Sequence, residues 1–151
     1  MGNFNLFNLE VHFKPSFSLR FRKKRLDKVS ANILFIDDSD CPVVENLTKA
    51  GWSVKKIDDI VNVQDEEIKR ADIVFVDYKG VGIDLSEEEQ GISVIKAIKK
   101  AYGDSKRVIL YSAYGHFKLS MNMRVADNQM SKNSDTFEFI SMIESELEKI
   151  K

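Results

Sequence analysis

Beyond Ser30 the apolar residues of this chain fall into short unbroken runs, and between the runs they recur at helical spacing. The runs at 33–36, 73–76 and 108–111, the interrupted segment 52–57 and, more weakly, 128–131 predict strands. Helices are predicted at 42–50, 65–70, 92–102 and 136–150, with a fainter one at 116–123. Pro42 suits the first turn of its helix because it has no N–H to leave unpaired, and Ser134 or Asp135 is placed to cap the last. In that last helix Phe137, Ile140, Ile143, Leu147 and Ile150 read as one apolar stripe, with Glu144, Glu146, Glu148 and Lys149 on the polar face. Strands without polar alternation need cover on both faces. Five strand–helix repeats therefore predict a doubly wound, parallel α/β domain over residues 31–151.

The first thirty residues follow a different rule. Apolar residues stand at 7, 9, 11 and 13 and, after Lys14-Pro15-Ser16, at 17, 19 and 21, with Asn8, Glu10 and His12 among the residues between them. A period of two predicts two strands joined at Pro15, so residues 1–30 are expected to form an N-terminal β-hairpin extension with Phe and Leu on one face. A lone two-stranded ribbon is marginal in water, and its aromatic face is expected to lie against another surface. Self-association as a homodimer through residues 7–21 is the first expectation.

Charge divides the chain at the same place. Residues 1–30 hold seven Lys or Arg and two acids, net +5, while residues 31–151 hold sixteen and twenty-two, net −6, so the overall −1 conceals two parts. The basic run from Arg20 to Arg25 would attract phosphates, but no helix-turn-helix, zinc or RNA-binding motif accompanies it. It is read as a solvated strand end, and no specific nucleic-acid partner is expected. Leu6 stands where a myristoylation signal after Gly2 needs Ser or Thr. No apolar run approaches the roughly 18 residues of a membrane span. The single Cys41 excludes an intramolecular disulfide and a cysteine metal cage, and no signal peptide opens the chain, so a cytoplasmic location is expected.

Ligands of open parallel sheets sit beyond the carboxyl ends of the strands, which directs attention to what stands there. The first strand runs into Asp37 and Asp38 and the third into Asp77, while the fourth ends at Ser112 and the fifth near Lys132. Three carboxylates so close repel one another unless a cation lies among them. Oxygen donors without Cys or His favour Mg²⁺. A hydroxyl and an ammonium beside that cation could then hold a phosphoryl group. Each of these residues alone would be an ordinary polar strand end, and only their joint occurrence points to chemistry.

With those residues in this order, the body of the chain resembles the receiver domain of two-component response regulators, the flavodoxin-like module of chemotaxis-type (CheY-like) regulators. The resemblance spans 31–151 and implies a five-stranded parallel sheet of order 2-1-3-4-5. It implies that Asp77 is the phosphoacceptor, and that Asp38, the Asp77 side chain and the backbone carbonyl of Lys79 ligate Mg²⁺, with Asp37 helping through water. Ser112 would hydrogen-bond the phosphoryl group and Lys132 would pair with its charge. The implied protein is a stand-alone signalling domain, not a turnover enzyme. It would be phosphorylated by a histidine kinase or phosphotransfer protein and would act through protein contacts.

Four features depart from the family pattern. Asn133 follows Lys132 where proline with a cis bond is usual, and Gln129 stands where many receivers carry a switch aromatic. The first helix is about one turn short, and the loop after Asp77 is enlarged through Gly80 to Glu89, ending in three consecutive glutamates. That acidic loop screens donors, contacts a partner, or is a capped and solvated helix start. The first two departures, at Asn133 and Gln129, support an alternative, a receiver-like interaction module that works without phosphorylation through its N-terminal hairpin. A haloacid-dehalogenase-like phosphatase, for which Asp38-Ser39-Asp40 is a superficial match, is disfavoured because Cys41-Pro42 follows and the late acidic motif is missing.

Overall fold

The computed structural model describes residues 26–113 and 125–150. The expected hairpin at 7–21 and the faint helix at 116–123 lie outside the described residues. The elements are β1 (Asn32–Ile36), α1 (Pro42–Lys49), β2 (Ser53–Ile57), α2 (Glu66–Arg70), β3 (Ile73–Asp77), α3 (Gly91–Tyr102), β4 (Arg107–Ser112), β5 (Asn128–Ser131) and α4 (Thr136–Leu147). The five strands form one parallel sheet in the order β2-β1-β3-β4-β5. Strand order reverses between β1 and β3, and the crevice outside their carboxyl ends is where a ligand of such a sheet sits.

Alternation along the strands sorts the core into two layers. Leu34, Ile36, Val74, Val76, Val108 and Leu110 pack with Ile68 of α2 and with Ile92, Val94, Ile95 and Ile98 of α3. Ile33, Phe35, Ile73, Phe75, Ile109 and Tyr111 face the other way, against Leu47 of α1 and Phe139, Ile143 and Leu147 of α4. At the centre of that second layer Phe35 and Phe75 are stacked 4.5 Å apart, and Tyr111 meets each ring edge-on at 5.5 and 6.0 Å. Every residue of the central strand β3 is buried, as full cover on both faces requires.

Helix α4 starts with a reciprocal cap. Asp135 accepts from the Glu138 N–H at 2.9 Å, and the Glu138 carboxylate accepts from the Asp135 N–H at 2.9 Å. Its inward face differs from the stripe expected from the sequence. Phe137 is 80% exposed, and Phe139 takes the core position instead. Glu146, expected on the polar face, is fully buried, because Arg107 at the start of β4 donates to it at 2.7 Å and Asn128 and Lys149 donate at 3.0 and 2.7 Å. Burial raises the Glu146 pKa, but these bonds outweigh it and hold the carboxyl below its ordinary range. Phe139→Ala is expected to cost about 3–5 kcal/mol in a denaturant titration, whereas Phe137→Ser stays within about 0.5 kcal/mol of the parent.

Candidate functional site

Three carboxylates converge beyond β1 and β3. Asp37 and Asp38 follow β1 directly, and Asp77 is the last residue of β3. One oxygen from each lies within 4.8 Å of the others, the spacing of a group that could hold a metal ion. Asp37 is 1% and Asp77 7% exposed, while Asp38 faces solvent. Lys132, just past β5, reaches across the strand ends and donates from Nζ to Asp37 Oδ2 and to Asp77 Oδ2, each at 2.7 Å.

The two buried acids are held differently. Asp37 Oδ1 accepts from the Ser39 N–H at 2.9 Å and the Ser39 hydroxyl at 2.6 Å, and its Oδ2 accepts from the Tyr111 hydroxyl as well as from Lys132. Burial opposes ionisation of Asp37, but the bonds from Lys132, Ser39 and Tyr111 prevail and leave its pKa below the ordinary value. Among the described residues Asp77 accepts from Lys132 and from the Lys79 backbone N–H. Burial, with repulsion from Asp37, pushes its pKa up. Lys132 loses hydration on burial yet is held above its ordinary pKa by the two carboxylates. Asp77 thus keeps lone pairs for another partner, which Asp37 does not.

The backbone gives way where the acids need room. At Gly80, whose φ is +88°, a Cβ would come within 2.5 Å of the Asp38 carboxylate. The long loop between β3 and α3 is pinned on both sides. The Asp59 carboxylate accepts from the Gly82 N–H at 2.8 and 3.0 Å, Gln90 Oε1 accepts from the Gly80 N–H at 3.0 Å, and Val81 is buried. Its acids face outward: Glu87 and Glu88 are exposed, and Glu89 pairs with Lys96 at 2.6 Å.

Ser112 is buried at the end of β4, and its carbonyl accepts from the Lys132 N–H at 2.8 Å, which ties the hydroxyl and ammonium positions together. The Lys79 side chain is exposed. All peptide bonds among the described residues are trans, including that before Asn133. Asn133 uses the N–H that proline lacks to bond Ser131 Oγ at 3.1 Å, and its side chain reaches the Ala113 carbonyl at 3.4 Å. Gln129 lines a groove of about 630 Å³ between β5 and α4, with Ser131 and the exposed Phe137 among its walls. A smaller cleft of about 300 Å³ beside the acids is lined by Asp37, Cys41, Asn46, Tyr111, Lys132 and Thr136, among others.

Sequence reasoning brought Asp37, Asp38, Asp77, Ser112 and Lys132 to this end of the sheet, and missed Tyr111 and Ser39. The signal for Tyr111 was strand register: it lies opposite Asp77 on the neighbouring strand, with the alternation parity of Ile109.

No family model and no curated protein matches the sequence. Solved structures do resemble the fold. A response regulator from Thermotoga maritima is 22% identical with a TM-score of 0.58, over 79% of this chain and 98% of that one. The chain has the response-regulator receiver fold. A second T. maritima response regulator, TrrA in complex with Mg²⁺–BeF, is 22% identical at a TM-score of 0.59, covering 77% of this chain and 98% of its own. NtrX from Brucella abortus, in complex with ATP, is 23% identical at a TM-score of 0.64, over 79% of this chain but 27% of NtrX. The receiver fold accounts for the order β2-β1-β3-β4-β5. No helix among the described residues is long and apolar enough to cross a membrane.

Proposed function

We propose that residues 31–151 act as a stand-alone receiver in which Asp77 accepts a phosphoryl group from a histidine kinase or phosphotransfer protein, and that residues 1–30 are a separate contact-making extension. The observation that carries the reading is the unequal treatment of the two buried acids. Lys132 bridges both at 2.7 Å, yet among the described residues Asp37 takes four donors and Asp77 two, so Asp77 is the carboxylate with capacity to spare. In the reaction a carboxylate oxygen of Asp77 forms a bond to phosphorus while the donor's P–N or P–O bond breaks, and that bond's electron pair leaves with the donor. Lys132 neutralises charge on the phosphoryl oxygens, and the Ser112 hydroxyl donates to one of them.

The donor set suits Mg²⁺. Asp38, Asp77 and the Lys79 carbonyl would hold the ion, with Asp37 in an outer position, as all-oxygen ligation at a dense acidic cluster favours. When bound, Mg²⁺ supplies neutralisation of the acids and of the incoming phosphoryl oxygens. A response regulator of this fold crystallised with Mg²⁺–BeF agrees with such a site. Output passes through protein contacts, and a soluble cytoplasmic setting fits the absence of an apolar span among the described helices.

A second reading rests on Gln129 and on the trans, side-chain-tied loop at Asn133. It is a receiver-like interaction module that needs no phosphate and uses its extension for oligomerisation or partner binding. Intact-mass measurement with acetyl phosphate separates the two readings. A Mg²⁺-dependent phosphoryl adduct in the wild type that is absent in Asp77→Asn is expected. An adduct that persists in Asp77→Asn overturns the assignment of Asp77, and no adduct in a folded wild type favours the phosphate-free module.

A further inference from the structure

The group around Asp37 has a member that the proposed chemistry does not use. Tyr111 belongs to the aromatic cluster of the α1/α4 layer, where its ring lies edge-on to Phe35 and Phe75, yet its hydroxyl turns to Asp37 Oδ2. The ring also lies beneath the ammonium of Lys132, 5.0 Å from Nζ to the ring centroid. A carboxylate offers about four acceptor positions. Asp37 has all of them taken, by the Ser39 N–H and hydroxyl at Oδ1 and by Tyr111 and Lys132 at Oδ2.

We infer that Tyr111 is a positioning residue: its hydroxyl closes the last acceptor position of Asp37, keeps that acid out of direct metal ligation, and tempers its hold on Lys132 so that the ammonium stays shared with Asp77. Two carboxylates compete for one ammonium. A second donor on Asp37 Oδ2 weakens that oxygen's hold on Lys132 and favours sharing of the ammonium, which lies 2.7 Å from each carboxylate. The register pairing of Tyr111 with Asp77 and the packing of its ring fix the hydroxyl's place, so the device is built into β4.

Removing the hydroxyl alone tests this. In Tyr111→Phe the ring remains, while the buried Asp37 regains an open acceptor position that a cation or Lys132 can fill. Mg²⁺ affinity measured by calorimetry on the full chain is expected to rise several-fold. Phosphoryl uptake from acetyl phosphate at saturating Mg²⁺ is expected to fall about tenfold, because Lys132 is drawn from Asp77 toward Asp37. A purely structural role would not move these two quantities in opposite directions.

The inference builds on the phosphoacceptor reading but can fail separately from it. A lysine-ammonium ¹H–¹⁵N spectrum of metal-free protein requires neither phosphate nor Mg²⁺, and the Lys132 signal is expected to shift in Tyr111→Phe. An unmoved Lys132 signal with unchanged Mg²⁺ affinity overturns the positioning role, whatever Asp77 does. A shifted signal and tighter Mg²⁺ binding support it even if the wild type takes up no phosphoryl group, a result that would instead count against the proposed function.

Discussion

Lys132→Ala is expected to slow phosphoryl uptake by about 10²–10³ and to lower stability at neutral pH by about 3 kcal/mol. The lysine is the only cation seen bonding both Asp37 and Asp77 among the described residues, and those acids are 1% and 7% exposed. Removing one partner of a buried ion pair costs more than the pair contributes, because a charge stays behind in a poor solvent. Here two like charges stay behind. The figure sits at the low end of the usual range because the Lys132 side chain keeps 20% of its exposure and water partly screens the site.

The sign of the pH dependence follows from which acid is raised. The folded-state pKa of Asp77 already lies above its ordinary value through burial, and the Lys132 bond and charge are what oppose that rise. In Lys132→Ala the opposition disappears. The variant should therefore match the wild type most closely at acid pH, where both carboxyls are protonated, and fall behind as pH rises through the carboxylate range and beyond it. Urea titrations at several pH values check the slope. Adding Mg²⁺ at neutral pH should recover part of the loss, since a second cation then replaces the first.

Gly91→Ala is the other change with a large expected effect, and its cause is steric. A Cβ on Gly91 would lie 1.8 Å from the Asp77 carbonyl oxygen and 2.9 Å from its carbon. Both sides of that contact are backbone, one in the central strand and the other at the start of α3, so neither can move by a rotamer change. Relief must come from shifting the helix or the end of β3. A loss of more than about 3 kcal/mol, at or beyond the upper end for overpacking, is expected in denaturant titration, and phosphoryl uptake should fall with it because Asp77 is displaced. An unchanged midpoint in Gly91→Ala would mean that α3 sits farther from the site than described.

Much of this arrangement was legible in the chain because strand ends are both structural and chemical boundaries. Runs such as Asn32–Ile36 and Ile73–Asp77 identify themselves by being apolar without alternation, and the acids that stop them are the site. The polar strand Asn128–Ser131 left only a weak signal in the pattern. The helix faces were harder. In α4 two overlapping apolar stripes compete, one through Phe137 and one through Phe139. The winner depends on Arg107, 39 residues before the Glu146 that it draws into the core. No local pattern reports a partner that distant.

Tyr111 shows the same limit at the site itself. An apolar-looking aromatic in a strand reads as core, and its ring does belong to the core. That its hydroxyl bonds an acid 74 residues earlier becomes visible only once β1, β3 and β4 are aligned. Gly91 stands just before the helix expected at 92–102, and its necessity comes from the carbonyl of Asp77 beside it.

The central claim is that Asp77 carries the phosphoryl group, and borohydride trapping tests it most directly. The wild-type chain would be phosphorylated with acetyl phosphate and Mg²⁺, reduced so that the acyl phosphate becomes homoserine, and mapped by peptide mass spectrometry. The account predicts homoserine at position 77 and at neither 37 nor 38. Homoserine at Asp37 or Asp38, or a phosphoryl adduct that borohydride leaves intact, would contradict it.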